Sequence, residues 1–155
     1  MSRRKSRIIA FQGLYSWDVG GISEEDVLRL DWVNSNQADL KSENDEKIDF
    51  KSEDVKIDDE EGAFSRMLIA GAIENISKID ETIKSHLKNW DFDRVNKVTI
   101  AILRMSVYSL LFTKDIDSSI VINEAVDIAK NYGPDDSYKF VNAILDNIRK
   151  NDLKS

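Results

Sequence analysis

The sequence predicts an all-α fold, a single compact domain of about six or seven helices, on three observations. Apolar residues recur at steps of three and four through most of the chain, the period of a helix with one buried face. Capping and breaking residues, among them Gly20-Gly21, Ser23 and Gly133-Pro134, fall between those runs. No segment alternates apolar and polar residues over the length of a strand. With 155 residues the chain can bury a substantial core as one domain.

The first helix spans about residues 5–18, with Ile8, Phe11 and Tyr15 on one stripe and Ala10, Leu14 and Trp17 on the next. Apolar over more than half its circumference, it should be enclosed by other helices. Gly20-Gly21 ends it, and Ser23 followed by Glu24, Glu25 and Asp26 opens a second helix that turns Val27, Leu30 and Val33 inward. Over residues 34–61 the pattern dissolves into a polar, acidic connection with isolated Leu40, Ile48, Phe50, Val55 and Ile57. This is read as exposed and partly ordered, long enough to contain some helix.

Regularity returns at Phe64, Leu68, Ala72, Ile76, Ile79, Ile83 and Leu87, which predict one helix of about seven turns, bent near Ser77. Residues 89–96 form a break that Trp90 and Phe92 pin to the core. A helix from about Val95 to Thr113 faces Ile100, Leu103, Val107, Leu110 and Leu111 inward. Another, from about Ser118 to Asn131, buries Ile122, Ala125, Val126 and Ala129. Tyr132-Gly133-Pro134 stops it, with Gly133 expected in the left-handed cap and Pro134 forbidding continuation. Asp135-Asp136-Ser137 supplies the next N-cap, and the last helix buries Val141, Ile144, Leu145 and Ile148.

Composition excludes several kinds of chemistry. The chain has no cysteine, which removes disulfides, thiolate metal sites and cysteine nucleophiles. The single histidine, His86, has no second histidine to form a metal pair at helical spacing and is expected to face solvent. No glycine-rich phosphate loop follows a strand, and Asp135-Asp136 suits a helix cap better than an acid/base pair. Neither an enzyme nor a cofactor is expected.

No apolar run approaches the roughly 20 residues that cross a bilayer, so no membrane role and a cytoplasmic location are expected. The net charge is −7, yet residues 1–23 hold four bases and one acid. Residues 24–61 hold fifteen acids and five bases, and residues 62–155 hold thirteen of each. The opening SRRKSRIIAFQGLYSW is therefore the densest positive charge in an acidic chain. It could be a targeting peptide, a nucleic-acid-binding arm or a solubilising end. Gln12, Ser16 and Asp18 interrupt the continuous apolar stretch that a signal peptide requires, which removes the first of the three.

That same opening resembles the start of the NusB family of bacterial transcription antitermination factors. There a basic arm leads into a helix reading A-x-Q-x-L-Y, here Ala10, Gln12, Leu14 and Tyr15. ILRMSVYSLL (102–111), VINEAVDIAKNYG (121–133) and DSYKFVNAILD (136–146) resemble three further signatures of the family, in order and spacing. The resemblance covers about residues 3–23 and 62–150. It implies an all-helical RNA-binding domain without enzymatic activity. The partners implied are the boxA element of nascent ribosomal RNA and NusE, which is also a small-subunit ribosomal protein. The RNA polymerase antitermination complex would be reached indirectly, and some members also form a homodimer.

On this resemblance Arg3, Arg4, Lys5 and Arg7 would meet RNA phosphates, with Arg3 and Arg7 one helical turn apart. Lys139 and Phe140 would extend the RNA surface, with Gln12 and Asn142 reading bases directly. Phe140 stacks on RNA or belongs to the core. Tyr15, Lys97, Thr99, Arg104 and Asp136 would contact NusE, although Asp136 serves first as an N-cap and Arg104 can instead bond a neighbouring helix end. Thr99 and Ser109 stand where many members carry an acidic residue, and the acidic connection is longer than the family usually has. Two alternatives differ in class. One is the NusB-like domain of a ribosomal RNA cytosine methyltransferase, which needs a Rossmann-like domain beyond the last helix. The other is a helical adaptor with no RNA role.

Overall fold

The structure, a computed structural model, describes residues 3–34, 57–88 and 91–153, and every α-helix predicted from the sequence has a counterpart there. α1 is Arg3–Val19, α2 Glu24–Arg29, α3 Asp59–Glu74, α4 Ile76–Ser85, α5 Lys97–Phe112, α6 Ser118–Tyr132 and α7 Ser137–Asp152. Short 3-10 turns at Asp31–Asn34 and Phe92–Arg94 follow α2 and precede α5, and no strand occurs among the described residues. Residues 35–56, most of the acidic connection, lie outside the described residues, as does Trp90. Its last residues belong to α3, where Asp58 accepts from the Glu61 N–H and Glu61 reaches back to the Asp58 N–H.

α5 is the centre of the molecule. Its sequence KVTIAILRMSVYSLLF is apolar on all sides, and every residue from Val98 to Val107 is buried. α1, α3, α4, α6 and α7 all pack against it. Asn96 starts this helix by accepting the Val98 and Thr99 N–H groups on Oδ1, at 3.0 and 3.2 Å. Its serines return their hydroxyl protons to the helix: Ser106 to the Ile102 carbonyl and Ser109 to that of Met105. Polar side chains can thus sit in the core without an acidic residue at 109.

α1 contributes Ile9, Ala10, Phe11, Leu14 and Tyr15 to the same core, and Ser23 caps α2 through the Asp26 N–H as predicted. On α3, Gly71 lets the Tyr108 ring lie directly on the backbone: a Cβ there would stand 2.2 Å from two ring carbons. The three-and-four stripe from Phe64 to Leu87 is observed, with Ile76 alone less than buried.

Four expectations are corrected. The long helix predicted through this stripe is two, divided at Asn75 instead of bent near Ser77. The Asn75 N–H closes the last helical bond of α3 to the Gly71 carbonyl at 3.1 Å, and the Asn75 side-chain amide donates to the same oxygen at 2.9 Å, a side-chain bond to the backbone that competes with regular helix at the junction. Gly133 does not adopt the left-handed cap; its φ and ψ are −85° and 167°. The following Pro134 drives it extended, and glycine suits the position because a Cβ would lie 2.4 Å from Ser137 Oγ. Asp136 precedes α7 but makes no side-chain cap, since it enters with φ +63°, outside the extended conformation a capping side chain needs. His86 is half-buried, not solvent-facing, with Nε2 2.7 Å from Asp152 Oδ2, which ties the end of α4 to the end of α7.

Candidate nucleic-acid interface

The basic opening is the first turn of α1, not a free arm. Ser6 fixes this turn onto α3: its hydroxyl donates to the Glu61 carbonyl at 3.1 Å, and Ser65 Oγ donates to the Ser6 carbonyl at 2.9 Å. Helical geometry then sends the four cations to different sides. Arg3 is exposed, its guanidinium 4.2 Å from the centre of the Phe64 ring. Arg7, one turn on, stacks at 5.5 Å from the same ring but is only 5% exposed. Arg7 is therefore enclosed by the fold, which leaves its guanidinium little of the exposure that the expected direct phosphate contact needs.

Arg4 turns toward α6. Its Nε and Nη2 donate to the two Glu124 oxygens at 2.9 and 3.2 Å, and Nη2 also donates to Asp127 Oδ2 at 2.8 Å. The hydrogen bond and charge of Glu124 hold the Arg4 guanidinium above its ordinary pKa, with Asp127 adding to this. Lys5 places Nζ 3.6 Å from Glu61 Oε1. Burial, and then repulsion from Arg3 and Arg4, push Arg7 below its ordinary value, while Glu124 acts in the opposite direction. An arginine so shifted still carries its charge near neutrality. Each cation is thus held by a carboxylate or an aromatic face.

The second part of the surface lies where α6 gives way to α7. Phe11 meets Tyr132 at a ring-centroid distance of 5.4 Å, which sets the middle of α1 beside the end of α6. Gln12 is half-buried on α1, Lys139 and Asn142 are exposed on α7, and Phe140 is half-buried against the core. Lys139 Nζ stands 3.7 Å from Asp136 Oδ1. Tyr138, absent from the sequence reading, lies between two lysines: Lys130 Nζ is 5.1 Å and Lys139 Nζ 5.9 Å from its ring centre. Tyr138 and Lys130 border a cleft of about 370 Å³ at the α6–α7 turn. Alternating aromatic and basic residues in SYKF were the available signal for Tyr138.

The residues expected to meet a protein partner divide differently. Tyr15, Thr99 and Arg104 are 1%, 2% and 7% exposed, so the fold encloses side chains that were expected to touch a partner. Arg104 sits between three helices. Its Nε and Nη2 each donate to an Asp80 oxygen at 2.9 Å, and Nη1 lies 3.0 Å from Asp18 Oδ2. Burial works against its charge, but Asp80 first and then Asp18 outweigh it and raise its pKa. Lys97 is half-buried at the start of α5, and Asp136 is exposed. Asp18, Asp80, Glu124 and Asp127 could not be singled out beforehand, because each is an ordinary acidic residue until folding brings its arginine to it.

Among the described residues no group of three or more His, Asp or Glu side chains is arranged to hold a metal ion, and no helix is long and apolar enough to cross a membrane.

Comparison with known proteins gives a consistent picture. The NusB family model matches residues 4–150. The transcription antitermination protein NusB of Treponema denticola is 46% identical over 149 residues, covering 96% of each chain. The structure of T. maritima NusB superposes with a TM-score of 0.75 at 31% identity, covering 97% of this chain and 92% of that one. A crystal structure of the antitermination factors NusB and NusE in complex with double-stranded RNA gives a TM-score of 0.74 at 26% identity, with 96% of each chain covered. This chain belongs to the NusB family.

Proposed function

We propose that this chain is a transcription antitermination factor that binds the boxA element of nascent ribosomal RNA together with NusE and supports processive transcription of ribosomal RNA operons. It acts by coordinated binding and performs no chemistry. The observation that carries this reading is the cationic first turn of α1, with Arg3 and Arg4 at the surface, in a chain matched along nearly its whole length by antitermination proteins. A short single-stranded element offers phosphates to such a turn and bases to an aromatic and amide surface, here Tyr138, Phe140, Gln12 and Asn142.

NusE is placed on the side where Lys97 and Arg104 share one face of α5, seven residues apart. Arg104 holds the end of α1 and the middle of α4 onto that face through Asp18 and Asp80. The partner therefore reads a shape that Arg104, Tyr15 and Thr99 build from inside. RNA polymerase is reached through this assembly. A cytoplasmic site of action follows from the same reading.

Replacing Arg3, Arg4 and Lys5 together by alanine tests the RNA surface. boxA binding by the complex with NusE should fall and its dependence on salt should flatten. Unchanged binding at both low and high salt would remove the first turn of α1 from the RNA interface.

A further inference from the structure

VINEAVDIAK, one of the segments that carried the family resemblance, supplies no RNA or partner contact in the reading above. Folded, it places Glu124 and Asp127 one turn apart on α6, and both take hold of Arg4, 120 and 123 residues away in sequence. We propose that Glu124 and Asp127 form an intramolecular stand-in for an RNA phosphate, so that Arg4 reaches the RNA backbone only by exchanging these carboxylates for it. This inference rests on the proposed RNA-binding function and concerns how strongly that site binds.

The geometry suits exchange. Glu124 is engaged through two parallel N–H···O bonds from one edge of the guanidinium, the fork arrangement by which arginine also takes a phosphate. The clamp is not sealed, since the Arg4 side chain is 48% exposed and that of Asp127 45%. RNA can therefore reach Arg4 without unfolding, and Asp127 can turn to solvent when displaced. The other cations are held differently: Arg3 lies on the face of Phe64, and Lys5 stands 3.6 Å from Glu61. Arg4 is held by two carboxylates of another helix, neither of which caps a helix.

The consequence is a limit on sequence-independent binding. A phosphate contact made by exchange gains little, because one set of charge-assisted hydrogen bonds replaces another. RNA that offers only its backbone is then bound weakly, while boxA retains its base contacts. Removing the carboxylate charges should strengthen binding to any single strand and add a phosphate contact to the salt dependence.

The test uses the double variant E124Q/D127N with NusE, titrated with a boxA oligonucleotide and with a scrambled oligonucleotide of the same composition. The expected result is a gain of about fivefold or more on both RNAs, with a salt slope steeper by about 0.7 for the phosphate added. Adding R4A to that variant should abolish the gain. A gain that survives R4A would mean general repulsion by the two acids and would overturn the clamp, as would an unchanged or weakened affinity in E124Q/D127N. If the unaltered chain bound neither RNA, the failure would lie in the proposed function instead of the clamp.

Discussion

Removing the Arg104 guanidinium is the sharpest test of how this fold holds α1 and α4 onto α5. In Arg104→Ala, Asp80 loses two hydrogen bonds of 2.9 Å and Asp18 loses an ion pair at 3.0 Å. Both carboxylates would remain on a surface partly closed by α5, with side-chain exposures of 19% and 26%. Breaking a fully buried pair from one side costs about 3–5 kcal/mol, most of it the charge left behind. Residual access to water lowers this, and a loss of about 2–3 kcal/mol is expected here. For a chain of this size that corresponds to a fall in Tm of roughly 5–10 °C. Urea unfolding followed by far-UV circular dichroism measures it directly, provided the slope with denaturant stays constant. Combining Arg104→Met with Asp18→Asn and Asp80→Asn should recover most of the loss, because no charge is then stranded. A loss below about 0.5 kcal/mol in Arg104→Ala, the level of an ordinary surface change, would refute the argument.

Three other outcomes follow from the same structure. Asn96→Ala removes both amide contacts at the start of the central helix and should cost about 1–2 kcal/mol in the same unfolding assay. Gly71→Ala drives a Cβ into the Tyr108 ring and should cost about 1–3 kcal/mol, with the loss relieved in a Gly71→Ala/Tyr108→Ala pair. Asp58, Asp117 and Asp146 are held below the usual carboxylate range by the Glu61 N–H, by Ser119 and by Arg149 respectively. Their stabilisation is complete above the unfolded carboxylate pKa and is lost as pH falls through the lower folded values, so stability should drop below about pH 4. Asp58→Asn should make that decline shallower in an acid titration followed by circular dichroism.

Helical periodicity made most of this fold readable, because a helix that buries one face must repeat its apolar residues at 3.6. α5 and α6 came within a few residues of their observed ends for that reason, and α7 of its observed start, aided by Gly133 and Pro134 as boundaries. Asn75 escaped notice because the apolar stripe continues across it and only a hydrogen bond to Gly71 reveals the break. The buried Tyr15 followed from its stripe, yet the family resemblance favoured a surface role. Periodicity was the better guide to where its side chain lies.

Electrostatic partners were beyond the reach of sequence. The positive opening is conspicuous, but its neutralising groups are Glu61, Glu124 and Asp127, none of which is near it in the chain. Arg104 shows the same limit: its position two turns from Lys97 is visible, whereas its partners Asp18 and Asp80 come from α1 and α4. Charge counted by region locates a candidate surface. Only tertiary packing shows which of its cations are enclosed, clamped or open.

Binding of boxA RNA with and without NusE, at two salt concentrations, tests the central claim most directly. Coordinated binding predicts that NusE raises the affinity at both concentrations, and that raising the salt weakens binding in keeping with a small number of phosphate contacts. An affinity that does not increase on adding NusE would contradict it.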